Sequence, residues 1–148
     1  MDQLYEQLNK LLADTYAYAI KLQFFHWNVE GANFYNDHLF FATMYEEVYG
    51  AVDPIAEHIR AVDGFAAGSL IRFSQLTSIP DQVQVVQGPE MFKILARDND
   101  TIISNLQQCV VLADRFNQIG LSNFLQDRID KHAKHGWMLR VTTRGVTS

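Results

Sequence analysis

At 148 residues, 48% of them hydrophobic, the chain is long enough for a single domain with a substantial apolar core. Its net charge of −5 argues against a general affinity for nucleic-acid phosphates, which depends on clustered Lys and Arg, and suits cations better. A lone Cys109 excludes an intramolecular disulfide, no apolar run approaches the roughly 20 residues of a membrane span, and MDQLYEQLNK begins acidic where a secretory signal would begin basic. Together these predict a cytoplasmic protein.

From residue 3 to about 29, Leu4, Leu8, Leu11, Thr15, Tyr18, Leu22, Phe25 and Val29 recur with alternating spacings of four and three, the signature of an amphipathic helix. A second row at Tyr5, Leu12, Ala19 and His26 widens the buried face. His26 ends an otherwise apolar row, a position that suits either a core histidine bonded to a carbonyl or a metal ligand. Gly31 can take a positive φ and Asn33 can cap the next helix, so residues 30 to 33 read as a turn.

The second helix is expected from about Phe34 to Val62, with His38, Phe41, Ala42, Tyr45, Val48, Tyr49, Val52, Ile55, Ala56 and Ile59 along its inner side. Pro54 removes an amide and crowds the carbonyl of Gly50, so a kink is predicted beside Asp53. Residues 63 to 88 have no sustained period and contain Gly64, Gly68, Pro80 and Gly88. A short helix from Leu70 to about Leu76, capped by Ser69, is expected within this crossover. Pro89 opens a third long helix carrying Met91, Leu95, Asp98, Ile102, Leu106, Cys109, Leu112 and Phe116. After a corner at 117–120, a fourth helix from about Ser122 uses Leu125, Ile129, His132, Gly136 and Leu139. The polar tail VTTRGVTS adds no element. The predicted fold is all-α, a four-helix bundle with a long crossover, carrying a short helix, between helices 2 and 3.

Two half-sites for a metal emerge from the spacing. Asp53 and Glu57 are four apart, so their carboxylates share a helix face and can bind one cation together. His38 precedes Asp53 by fifteen residues, roughly 22 Å along one helix, too far to share an ion within a chain. The turn after Val29 can instead fold His26 toward His38. A site using all four residues must therefore draw its histidines from one subunit and its carboxylates from another across a two-fold axis.

His26-Trp27-Asn28-Val29 with Gly31, Phe34 and His38, followed by Asp53, Ile55-Ala56-Glu57 and Ile59-Arg60, closely resembles the signature of the Dps family of mini-ferritins. HAKHGWMLR at 132–140 and GSLIRFSQLTSI in the crossover extend the resemblance over nearly the whole chain. It implies a ferritin-like domain over residues 1–148, a hollow homo-dodecamer, and ferroxidase centres between two-fold-related subunits, with His26, His38, Asp53 and Glu57 as ligands and Trp27 beside the iron in the core. Fe(II) oxidation, often by hydrogen peroxide, with iron storage and protection against oxidative damage, follows as the expected activity. The mixed imidazole and carboxylate set would also accept zinc.

The chain departs from the family pattern twice. Where the family has a further acidic ligand one turn after the second histidine, this chain has Ala42, so the second iron position is expected to be weaker. A solvated glutamate is the reading for Glu46. DNA binding is not expected, because residues 1–9 contain no Lys or Arg and the tail offers only Arg140 and Arg144. His132 and His135 are read as surface or interface packing rather than a metal pair, Trp137 as packing, and Asp127 and Asp130 as a solvated face. The competing function is a ferritin-like structural or assembly protein with a degenerate metal site.

Overall fold

In the computed structural model, which describes residues 1–144, six helices follow one another: α1 Asp2–Asn28, α2 Phe34–Tyr49, α3 Val52–Ala61, α4 Leu70–Leu76, α5 Gly88–Arg115 and α6 Ile119–Thr143. No strand is present among the described residues. The long helices form a four-helix bundle in which α2 and α3 act as one broken helix, α1 packs on α2, and α5 on α6. The apolar row of α1 is buried from Leu4 to Phe25, and Phe41, Met44, Ile55, Met91, Leu95, Ile102, Leu106, Leu125 and Leu139 meet it from the other helices. Tyr18 is wholly buried and donates to the carbonyl of Leu95 at 2.9 Å, joining α1 to α5.

The crossover runs from α3 to α5 along the bundle, with α4 lying against α1. Ser69 caps α4 as expected, its hydroxyl accepting from the Arg72 amide at 3.2 Å. Asp14 holds the end of α4. Its buried carboxylate accepts from the hydroxyl of Thr77 at 2.8 Å, the amide of Ser78 at 2.7 Å and the side-chain amide of Asn105 on α5.

Several boundaries differ from the sequence reading, each for a local reason. The single helix expected over 34–62 is divided: α2 stops at Tyr49, and the kink lies at Gly50–Ala51, ahead of Pro54. Pro54 is the third residue of α3, and the carbonyl its missing amide would have reached belongs to Gly50. The chain therefore tightens there, with the Ala51 amide donating to Val48 three residues back at 3.1 Å. Asn33 occupies the position before α2 but makes no side-chain cap, because its ψ of 16° is not the extended conformation a cap requires. The last corner is shorter than 117–120. Asn117 takes a left-handed φ of 56°, and the Gln118 amide returns to the carbonyl of Ala113 at 2.8 Å, so α6 starts at Ile119 rather than Ser122. At its far end α6 continues to Thr143, through the first residues of the expected tail, and residues 145–148 of that tail lie outside the described residues.

Replacing Asp14 with Ala would take the charged acceptor from the buried Asn105 amide, leaving it only the Ser78 hydroxyl at 3.1 Å, and release Thr77 and the Ser78 amide. The expected loss is about 3 kcal/mol, from the usual cost of stranding buried polar groups. It would be read as a lowered urea midpoint, with proteolytic nicking appearing in residues 77–87.

Candidate metal centre

His26 lies in the last turn of α1 and His38 in the second turn of α2. Between them Val29 leaves the helix in an extended conformation, Gly31 takes a φ of 119°, and the Phe34 amide returns to the Gly31 carbonyl at 3.1 Å. Only glycine takes that φ without strain, so this turn folds α2 back along α1. The imidazoles meet face to face, with centroids 3.9 Å apart and planes inclined by 17°, and the ring of Phe34 stacks on the outer side of His38 at 5.0 Å.

Each ring is held by the backbone of the other residue. His26 Nδ1 bonds the carbonyl of His38 at 2.8 Å, and His38 Nδ1 bonds the carbonyl of His26 at 2.7 Å. A carbonyl only accepts, so each Nδ1 carries a hydrogen and donates it. This selects the tautomer that leaves both Nε2 lone pairs open, the arrangement that metal-binding histidines adopt. His26 is thus carbonyl-bonded through Nδ1 and keeps Nε2 free of any protein hydrogen bond among the described residues.

Asp53 and Glu57 stand exposed on α3, four residues apart. Among the described residues no three of His, Cys, Asp and Glu gather into a metal-binding group, so the histidine pair and the carboxylate pair stay apart within one chain. Ala42 is half-buried one turn after His38 and supplies no donor atom, while Glu46 is exposed. Trp27 does not belong to the subunit core as expected. It is 63% exposed, because it follows His26 by one residue and so points about a quarter-turn away from the inner face. It helps line a cavity of about 550 Å³ between α1 and the crossover, with Tyr16, Phe24, Leu70 and Phe73. Asp127 and Asp130 are exposed, as read from the sequence.

The histidines of α6 pack inside the bundle rather than at its surface, His132 on the inward row of its helix and His135 beside it. His132 and His135 are buried and belong to a polar layer across the bundle centre. His132 Nδ1 bonds the side-chain oxygen of Asn99 at 2.8 Å, and its Nε2 accepts from Arg128 at 3.1 Å, so neither nitrogen is open to a ligand. Arg128 also donates to Glu47 at 2.6 Å, and His135 Nε2 lies 3.8 Å from the other oxygen of Glu47. Burial opposes ionisation of Glu47, but the hydrogen bond and charge of Arg128 outweigh it and hold the carboxyl below its usual range. Lys21 and Asp98 form a second buried pair at 2.6 Å. Asp98 falls on a row expected to be buried, but the apolar spacing alone does not single out its partner Lys21, nor Glu47, Asn99 or Arg128. A signal was present: Lys21 is three residues after Tyr18 and four before Phe25, and Arg128 is three after Leu125 and four before His132, the spacing of an inward face.

A ferritin-like domain model matches residues 5–145. An uncharacterised low temperature-induced protein of Nostoc sp. strain PCC 7120 is 32% identical over 93% of this chain and 78% of its own length. DNA protection during starvation protein 2 of Bacillus anthracis is 29% identical over 93% of this chain and 94% of its own. Among solved structures, Dps from Staphylococcus aureus superposes with a TM-score of 0.92 at 25% identity, covering 97% of this chain and 96% of that one. The chain belongs to the ferritin-like family and, within it, to the Dps mini-ferritins. Iron storage and protection of the cell are the general functions that come with that membership. No helix among the described residues is long and apolar enough to cross a membrane.

Burial pushes the His135 imidazole down to about 4 from 6.5, against Glu47 and with the neighbouring cations, and holds His132 well below its usual value. Unfolded, each histidine protonates near 6.5; folded, each resists. Stability from these groups is therefore fully present above that value and falls as pH drops toward about 4. For His135 the expected loss between pH 7 and pH 5 is about 2 kcal/mol. Urea titrations at the two pH values measure it, and a His135→Gln variant should show a smaller pH dependence than the parent.

Proposed function

We propose that this chain, a single ferritin-like domain, is a ferroxidase mini-ferritin that assembles into a hollow dodecamer. In this reading His26 and His38 of one subunit and Asp53 and Glu57 of the partner subunit bind Fe(II) at a two-fold interface, hydrogen peroxide oxidises it, and the ferric product is stored inside the shell. The observation that carries the reading is the histidine stack, in which both Nδ1 atoms are committed to carbonyls and both Nε2 atoms are open, with no carboxylate among the described residues of the same chain to complete the set.

The donor chemistry fits the substrate. Two neutral imidazole nitrogens and two carboxylate oxygens suit Fe(II), leave the bound ion close to charge-balanced, and would also hold zinc. The ring stack and carbonyl bonds hold the nitrogens in place before metal arrives, so little ordering cost falls on binding. The exposed carboxylates on α3 supply the oxygens to a neighbouring subunit, and Trp27 stands next to this interface. Ala42 removes a donor one turn from His38, so each site holds one iron firmly and a second only weakly.

Anaerobic Fe(II) titration of the purified oligomer should show saturable binding near one iron per site. Added peroxide should then raise the ferric absorbance above a buffer control. His26→Ala should weaken Fe(II) binding by at least about tenfold, as expected for losing a pre-oriented donor. An Ala42→Asp variant should raise the bound iron toward two per site. A flat titration with no absorbance rise would leave the alternative, a structural shell with a degenerate site.

A further inference from the structure

Reducing hydrogen peroxide fully takes two electrons, and one Fe(II) releases one. With Ala42 in place of an acidic donor, the second electron cannot be assigned to a firmly held second iron. The residues that follow Ala42 on the same side of α2 are Tyr45 and Tyr49, so His38, Ala42, Tyr45 and Tyr49 form one row at spacings of four, three and four. Helical side chains lean toward the helix N-terminus, which carries the Tyr45 ring back over the turn of Ala42. Its Cα is about 10 Å along the axis from that of His38.

Tyr45 is the first member of a connected aromatic group. Its ring stacks on Tyr49 with centroids 5.6 Å apart and planes inclined by 19°. Tyr49 lies 6.5 Å from Tyr16 of α1, and Tyr16 stacks on Phe73 of α4 at 4.9 Å. The three tyrosines share a small cavity of about 200 Å³ with Ala19, Ile20 and Gln23. Their hydroxyls differ from those of the structural tyrosines. Tyr5 and Tyr18 donate to the carbonyls of Val62 and Leu95, whereas the hydroxyls of Tyr16, Tyr45 and Tyr49 make no protein hydrogen bond among the described residues. Nothing in the fold requires these three oxygens, and phenol is one of the few side chains that can give up a single electron and a proton.

We infer that Tyr45, backed by Tyr49 and Tyr16, supplies the second electron when a lone iron meets peroxide. The inference rests on the ferroxidase reading above and deepens it. The step balances: the O–O bond breaks, Fe(II) gives one electron and becomes Fe(III), and the tyrosine gives one electron and its hydroxyl proton. The products are one hydroxide, one water and a tyrosyl radical. A later Fe(II), with a proton, returns the radical to tyrosine. Over two irons one peroxide is consumed, as at a two-iron centre, and the tyrosine group holds the oxidising equivalent between the two events. Spread over three neighbouring rings, that equivalent stays on the protein and is not released as hydroxyl radical.

The assembled full-length protein, loaded anaerobically with one Fe(II) per site, is mixed with one hydrogen peroxide per iron and freeze-quenched for electron paramagnetic resonance. One peroxide consumed per Fe(III) formed, together with a tyrosyl signal, is the expected result. A Tyr16→Phe, Tyr45→Phe, Tyr49→Phe triple variant should lose the signal while binding Fe(II) as the parent does, since the three rings remain and their hydroxyls bond nothing among the described residues. Consumption of one peroxide per two irons without any protein radical overturns the inference and leaves the ferroxidase reading standing. A tryptophan signature that survives in the triple variant and disappears in Trp27→Phe also overturns it. Absence of saturable Fe(II) binding in the preceding titration removes both.

Discussion

The two bonds between His26 and His38 make the turn joining α1 and α2 and the orientation of the imidazoles a single object. Each ring donates to the carbonyl of the other residue, at 2.8 and 2.7 Å, so neither can rotate without stranding the other's backbone oxygen. The stack at 3.9 Å then holds the two rings face to face. That arrangement requires α1 to end where it does, Val29 to leave in an extended conformation, and Gly31 to accept a φ of 119°. Everything upstream, including the buried row from Leu4 to Phe25, serves to hold the last turn of α1 in register for this closure.

Buried charge keeps that register. Apolar rows at helical spacing tolerate sliding by a turn, because one leucine ridge resembles the next. Lys21 with Asp98 and Arg128 with Glu47 do not, since displacing the partner leaves Lys21, Asp98 or Arg128 as a buried unpaired ion, at a cost of about 3 kcal/mol or more for the fully buried pair. The first pair ties α1 to α5 and the second ties α2 to α6. Glu47 sits three residues before the Gly50–Ala51 bend, so its tie to α6 also holds the end of α2 from which α3 departs. Through that bend the core pair bears on the direction in which Asp53 and Glu57 are presented. The polar layer at the bundle centre is therefore part of the architecture of the outer site, although its own nitrogen atoms are taken up by Asn99 and Arg128.

The helices were legible because their apolar spacing is strong, and the Ser69 cap and the Gly31 turn were legible because their chemistry is local. Boundaries at Tyr49 and Ile119 were misjudged where local chemistry had more than one outlet. Proline marked the bend, but the lost hydrogen bond is felt at its acceptor, Gly50, four residues earlier; and Asn117, in a left-handed conformation, closed its corner sooner than the spacing of the next helix indicated. The meeting of His26 and His38 followed from the turn between them. Their reciprocal carbonyl bonds did not, because those depend on atomic positions that periodicity does not encode. Trp27 left its expected place in the core for a related reason: spacing tells which face a residue occupies only when the centre of the buried arc is known, and one residue's rotation separates a buried His26 row from an exposed Trp27.

A donor set divided between two helical units of the same chain has a thermodynamic consequence on the proposed reading. Asp53 and Glu57 are exposed on α3 and do not gather with the histidine stack among the described residues, so on that reading the complete set would form only where two subunits meet. Metal that binds only the associated state favours association by the same free energy that association lends to binding. Shell formation and iron capture are then one linked equilibrium. Ala42 withdraws a donor from that equilibrium without touching the others, which shifts the work of holding the ion onto the four that remain. Pre-orientation of the two imidazoles by backbone carbonyls matters most in such a case, because a site with few donors has little enthalpy with which to order loose ones.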